Sequence, residues 1–224
     1  MLEARLENTI IALTGAGGRL GSVITRKLLD AGATVAAIDV RPIDELPDGA
    51  ASFNADLTDE ASVARTFAQI EEELGPLGGL IHTVGMWGGA PFAETDLDSW
   101  EAMLTVNLTT TFLCFREAVR RMNGRGGHLV AIASRQGADG GVAEQGPYSV
   151  AKAGVVRLVE AVAAEYDGRI TAAVVAPSMI LFGGEDEGAR GVFVEAVADL
   201  CVYLAGEGGG IHNGQVIRAY GTMR

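Results

Sequence analysis

The sequence predicts a doubly wound α/β domain: a parallel sheet with helices on both faces. Three observations predict it. Short runs rich in Val, Ile and Ala recur along the whole chain, and longer segments with helical spacing separate most of them. The runs are apolar at successive positions rather than alternate ones, as in strands covered on both sides. Parallel strands need crossover connections, which the helical segments supply. At 224 residues, 48% of them hydrophobic, the chain fits one domain with a core of its own.

In chain order the strands are TIIALT (9–14), TVAAID (34–39), a weak one near Ala51, GLIHTV (79–84), HLVAIAS (128–134), RITAAVVA (169–176) and QVIRAY (215–220). Helices are expected over 19–31, 59–74, 98–122, 147–166 and 190–205. Between Asp39 and Ala51 the connection is short and interrupted by Pro42 and Pro47, so no full helix is expected there. At the start of the third helix Asp98 or Ser99 is the expected cap, with the Trp100 indole in the core. The helix over 147–166 carries Val155, Val156, Leu158, Val159 and Val162 around much of its girth, a pattern that a partner helix explains better than solvent. No internal repeat or linker is present.

Charge narrows the partners. With 29 acidic against 17 basic residues, the formal charge of -12 repels polyphosphate surfaces, which argues against nucleic acid or anionic membrane and for a small-molecule ligand held locally. Cys114 and Cys201 fall in helical stretches, no Cys/His cluster has zinc spacing, and His82, His128 and His212 are scattered, so reduced thiols and no metal are expected. No apolar run reaches membrane-spanning length, and MLEARLENTI has charges before its first apolar run and no small-residue cleavage site, so no export is expected and a cytoplasmic location is.

The first strand runs into TGAGGRLGS (14–22) and then a helix. Gly15, Gly18 and Gly21 permit a sharp turn, close approach of a pyrophosphate and tight helix packing, while the helix N-terminus offers N–H donors and positive dipole. No Gly-Lys-Ser/Thr ending follows, which removes the P-loop alternative. Asp39, at the end of the second strand, is placed to accept hydrogen bonds from an adenosine ribose and to repel a 2'-phosphate, which favours NAD over NADP. Arg19 and Arg41 could pair with such a phosphate and keep NADP open. Farther on, GPYSVAKAG (146–154) sets Tyr148 four residues before Lys152, one of the chain's two lysines, so both project from one helical face. A close ammonium lowers a phenol pKa by about 1 to 3 units, into the range useful for acid-base chemistry.

Taken in order, Thr14 to Gly21, Asp39, ADL (55–57), TVG (83–85), VN (106–107), HLVAIAS, YSVAK (148–152) and VVAPS (174–178) resemble the short-chain dehydrogenase/reductase family over nearly the whole chain. The resemblance implies a Rossmann fold and NAD(P)-dependent hydride transfer to or from an alcohol, carbonyl or conjugated imine. It further implies Tyr148 as acid-base group, Lys152 as its tuner, Ser134 as substrate anchor and Asn107 in a proton relay. Cofactor contacts are implied for Gly15, Gly18, Arg19, Leu20, Gly21, Asp39, Asp56, Leu57, Gly85, Tyr148, Lys152, Pro177 and Ile180. A short substrate lid is implied at about 178–191, where Met179, Leu181 and Phe182 offer apolar cover; Met86 and Trp87, following the fourth strand, are expected at the mouth of the cleft as substrate-pocket candidates. A homotetramer or homodimer is implied through helices 98–122 and 147–166. The glycine pattern, with Arg19 in place of the family's commoner middle glycine, the missing crossover helix after the second strand, and the VGMWGG segment (84–89) resemble the dihydropteridine reductase branch, while His82 stands where the family has an asparagine. Two other readings stay open: a dinucleotide-binding sensor or scaffold without turnover, and an S-adenosylmethionine methyltransferase, which shares the glycine turn and the acidic residue after the second strand.

Overall fold

The computed structural model describes residues 5–43, 45–166, 168–185, 188–206 and 208–221. Its strands and helices are β1 (Ile10–Thr14), α1 (Arg19–Asp30), β2 (Thr34–Asp39), β3 (Ala50–Asn54), α2 (Glu60–Glu73), β4 (Leu77–His82), α3 (Leu97–Leu104), α4 (Thr110–Met122), β5 (Gly127–Ile132), α5 (Arg135–Ala138), α6 (Gly146–Tyr166), β6 (Ile170–Pro177), β7 (Ile180–Leu181), β8 (Val192–Phe193), α7 (Val194–Leu204), α8 (Gly208–Ile211) and β9 (Val216–Ala219). Seven strands form one parallel sheet in the order β3-β2-β1-β4-β5-β6-β9, and β7 pairs with β8 in a separate ribbon. Among the described residues between β2 and β3 there is no helix. The order reverses between β1 and β4, opening a crevice beyond the carboxyl ends of those strands.

Each face of the sheet buries its own core. On one side Phe67, Phe115, Met122, Val155 and Val159 pack α2, α4 and α6 against Leu80 and Leu129. On the other, Ile24, Leu28, Val197 and Cys201 pack α1 and α7 against Ile11, Leu13 and Val35. The apolar girth of α6 is mostly explained within this chain, correcting the sequence expectation: Val155, Val156 and Val159 are at most 2% exposed, and Leu158 and Val162 are half-buried.

The expected helix over 98–122 is interrupted. Residues Thr105–Thr109 form a π-turn between α3 and α4, with Asn107 wholly buried inside it. The Asn107 amide donates to the Met103 carbonyl at 3.0 Å, the acceptor that a regular ladder gives to the Asn107 backbone N–H, so the ladder widens there. The α3 cap is Asp96, which accepts from the Ser99 N–H at 2.8 Å, rather than Asp98 or Ser99. Trp100 is half-buried and belongs to neither core cluster.

Candidate active site

The glycine turn leaves β1 through Gly15 at φ 68°, a conformation that side chains other than glycine rarely adopt. A Cβ on Gly21 would collide with the Gly15 carbonyl oxygen and lie 2.8 Å from Ala16 Cα, so α1 approaches β1 only because Gly21 is bare. Gly18 begins α1 without a capping side-chain bond, and no acidic residue stands in the first turn. In α2, by contrast, Asp59 caps Ala61 and Ser62. The uncapped N–H groups of α1 are thus left for an anion.

Above this turn lies a cavity of about 530 Å³, lined by Gly15, Gly18, Arg19, Leu20, Gly21, Asp39, Arg41, Asp56, Leu57 and Gly85, among others. Asp39 Oδ2 accepts from Gly17 N at 3.1 Å and Oδ1 from Arg41 N at 3.3 Å, which holds the carboxylate at the end of β2 facing the turn. Asp56 accepts from the Thr58 hydroxyl at 2.7 Å and the Thr58 N–H at 2.9 Å; those bonds hold its carboxyl below the usual range. The Arg19 guanidinium lies 3.8 Å from the centroid of the Phe182 ring, so this arginine spans the crevice. The uncapped helix, the bare glycines and the fixed carboxylate fit a dinucleotide: the Gly18–Gly21 turn would hold its pyrophosphate and Asp39 its adenosine ribose.

A second cavity, about 930 Å³, shares Leu20, Thr83, Gly85 and Phe182 with the first, so the two form one cleft. Its walls bring together Ser134, Tyr148, Lys152, Asn107, Pro177, Ile180, Met179 and the exposed Trp87, joining every residue expected from the sequence to the glycine-turn cavity. Ser134 caps α5, where its Oγ accepts from Gly137 N at 3.3 Å, and it stands near enough to the Tyr148 phenol to influence its ionisation. Gly137 is pressed so closely on Lys152 that a Cβ would sit 2.5 Å from its backbone carbon, which fixes α5 against α6. Lys152 Nζ, buried, donates to the Ile132 carbonyl at 3.0 Å. Asn107 Oδ1 accepts from Met86 N at 3.2 Å. Asn107 and Lys152 meet at Gly85, where a Cβ would lie 2.7 Å from Asn107 Oδ1 and 2.9 Å from Lys152 Nζ.

The electrostatics differ from the sequence expectation in one respect. Burial raises the Tyr148 pKa above its ordinary value, and the nearby Ser134 hydroxyl only partly opposes it; the lowering expected from Lys152 does not emerge. Lys152 itself is pushed down to about 8 by burial. Beside it, His82 is wholly buried, its Nδ1 2.9 Å from Thr14 Oγ1 and its Nε2 3.2 Å from Thr110 Oγ1; burial, and then the Lys152 charge, lowers it to about 3. Among the described residues, no three His, Cys, Asp or Glu side chains gather where a metal could bind, and no helix is long and apolar enough to cross a membrane.

Sequence reasoning missed several wall residues: Gln136, Arg135, Arg190 and Tyr220 in the second cavity, Thr58 and Thr110 in the first. Arg135 had a signal, since it follows Ser134 directly. Arg190 and Tyr220 reach the cleft only through the β7–β8 ribbon and the β6–β9 pairing, which no local pattern announces. The expected lid region includes residues 186 and 187, which lie outside the described residues.

Comparison with known proteins agrees with this geometry. The family model described as short chain dehydrogenase matches residues 9–185. The 2-(S)-hydroxypropyl-CoM dehydrogenase 3 of Xanthobacter autotrophicus is 33% identical over 178 residues, covering 75% of this chain and 69% of that protein. The D-threitol dehydrogenase of Mycolicibacterium smegmatis is 28% identical, covering 80% of this chain and 73% of that protein. The crystal structure of levodione reductase has the same fold, with a TM-score of 0.88 over 97% of this chain and 98% of that chain at 22% identity.

Proposed function

The chain belongs to the short-chain dehydrogenase/reductase family, oxidoreductases of CH–OH and C=O groups that use NAD(P)(H), and from that premise we propose that it favours NAD(H) and acts on a small alcohol or carbonyl with Tyr148 as general acid and base. One observation carries this reading: Ser134, Tyr148, Lys152 and Asn107 line a single cavity continuous with the glycine-turn cavity. Bound NAD(P)(H) supplies or accepts the hydride. In the reducing direction Ser134 hydrogen-bonds the carbonyl oxygen and Tyr148 gives it the phenolic proton as negative charge develops there. Burial keeps Tyr148 protonated at neutral pH, as a proton donor needs to be. The Lys152 ammonium, fixed by Ile132, favours the phenolate that remains and turns its further donors toward a nicotinamide ribose. Asn107 completes a proton relay between Lys152 and solvent. In oxidation each step reverses.

Residues 178–191 serve in this reading as a short substrate lid. Exposed Phe112 on α4 and Val150 on α6 support a homodimer or homotetramer in the cytoplasm, checked by light scattering on the purified protein. The resemblance of residues 84–89 to dihydropteridine reductase places a conjugated imine beside simple carbonyls in the first substrate screen. The deciding variant is Tyr148→Phe. Steady-state turnover falls about 10²- to 10⁴-fold, the worth of a positioned acid-base group, while NADH binding by fluorescence is retained. Full turnover in that variant takes Tyr148 out of the mechanism.

A further inference from the structure

We infer that His82 is a positioning residue for the reaction: its imidazole holds open the π-turn Thr105–Thr109 and so keeps Asn107 in the cleft beside Lys152. This deepens the oxidoreductase reading above and rests on it. A helix that runs on from α3 into α4 gains nothing from a widened turn in its middle, and such turns inside helices are frequent at functional sites. Something beyond the backbone ladder must keep this one open. Asn107 is part of the answer, since its Nδ2 donates to Met103 O and Met86 O, each at 3.0 Å. Two threonines on the next half-turn are the rest: Thr110 Oγ1 donates to the Val106 carbonyl at 2.7 Å and Thr111 Oγ1 to the Asn107 carbonyl at 2.8 Å. Both carbonyls belong to the π-turn.

His82 decides how Thr110 points. With its proton spent on Val106, Thr110 Oγ1 acts as acceptor toward the imidazole, whose Nε2 lies 3.2 Å away. A proton on Nε2 leaves Nδ1 to accept, and the Thr14 hydroxyl, 2.9 Å away, supplies that donor. His82 is 1% exposed and Thr14 and Thr110 are wholly buried, so bulk water cannot replace either bond. The ring thus bridges two parts of the cleft: Thr14 is the residue before Gly15, and Thr110 closes the turn that presents Asn107. The same strand end continues into Gly85, which has Asn107 Oδ1 and Lys152 Nζ against its Cα. Without the Nε2 donor, Thr110 Oγ1 is left with an unpaired acceptor in the core, and its bond to Val106 is no longer the favoured one. Asn107 then shifts with its turn, and a misplacement of about 1 Å can cost 10²-fold in rate.

Apolar and conservative replacements test this. In hydrogen exchange of the protein without added NADH, His82→Leu speeds exchange of the amides at 105–111 by about tenfold or more. His82→Gln, whose amide stands in for Nε2 and reaches Thr110, restores their protection. In NADH-dependent reduction of 2,3-butanedione, His82→Leu lowers kcat about ten- to hundredfold while KM for NADH stays within about threefold, and His82→Gln recovers most of the loss. Thr110→Val lowers kcat too, and gives the same answer with the histidine in place should His82→Leu not fold. The loss in His82→Leu/Thr110→Val falls well short of the product of the two single losses. Native kcat in the folded variants, losses that multiply, or faster exchange spread evenly over the sheet would make the histidine purely structural and overturn the inference. If the native chain leaves the ketone untouched, NADH binding by fluorescence decides the oxidoreductase reading and exchange decides the inference. Protection at 105–111 that is lost in His82→Leu and regained in His82→Gln upholds it; protection unchanged in His82→Leu and Thr110→Val overturns it.

Discussion

His82 shows how a single buried side chain ties the site to the sheet. Thr110 Oγ1 donates to the Val106 carbonyl at 2.7 Å and so accepts from His82 Nε2–H; Nδ1 must then accept from the Thr14 hydroxyl, which in turn accepts from Thr83 N at 3.2 Å. β1, β4 and α4 are joined by a neutral imidazole that has no room for a second proton. The native state refuses that proton down to about pH 3, whereas the unfolded chain takes it near pH 6.5. The depressed value means the stability is fully present above pH 6.5 and is lost as the pH falls toward 3, at about 1.4 kcal/mol per unit. Urea unfolding of the native chain and of His82→Asn checks this. An asparagine cannot charge, so the variant loses less stability between pH 7 and 4.5 by about 2 to 3 kcal/mol. Equal losses would remove His82 from the acid response. Lys152 runs on the same rule at higher pH. Its charge is disfavoured by burial from the reference 10.5 to about 8, a penalty fully present below pH 8 and relieved as the pH rises to 10.5. Lys152→Met is therefore more stable than the native chain at pH 7, by about 2 kcal/mol after the unpaired Ile132 carbonyl is counted, with the gap closing by pH 10.5 and turnover lost throughout. A cation held at such a cost is best explained by what it does in the cleft.

At the scale of elements, the glycine turn was legible because its constraint is local. Gly15, Gly18 and Gly21 follow one strand and open one helix, and the structure places them within that short turn. Gly21→Ala tests how tightly. The added Cβ meets the Gly15 carbonyl, so the expected cost is about 1 to 3 kcal/mol of stability together with loss of NADH binding. Gly210→Ala, whose Cβ meets nothing, leaves both unharmed by packing; unchanged NADH binding in Gly21→Ala would show that the turn relaxes. The buried strands β1, β2 and β6 are found within a residue of their expected places, since a continuous apolar run has one reading. β4 begins two residues early, at Leu77, because Gly78 and Gly79 imitate a turn. The π-turn was invisible: it depends on the Asn107 side chain finding Met86 and Met103, a three-dimensional contact with no spacing signal. The short elements α5, α8 and the β7–β8 ribbon were missed because four residues or fewer carry no periodicity. With α5 and the ribbon went Arg135 and Arg190.

On the scale of the whole molecule, the sheet order gathers residues from widely separated segments at one crevice, and the cofactor preference is decided across it. Asp39 projects into the glycine-turn cavity with both carboxylate oxygens occupied by backbone N–H donors, a fixed negative charge where a 2'-phosphate would come. Of the two arginines that could offset it, Arg19 rests on the Phe182 ring, leaving Arg41 as the cation on the Asp39 side. A single arginine beside a fixed carboxylate makes a poor phosphate site, so the expected outcome is tighter binding of NADH than of NADPH. At a hundred times its Kd a ligand stabilises the native state by about 2.7 kcal/mol, worth roughly 5 to 10 °C in Tm for a chain of this length. Thermal melts at matched concentrations then show the larger shift with NADH and none with S-adenosylmethionine. Asp39→Ser removes the repulsion while leaving Arg41 in place, so the NADPH shift grows and the NADH shift shrinks. A native chain that melts equally late with NADPH would mean that Arg41 outweighs Asp39, and the ribose assignment would have to be given up.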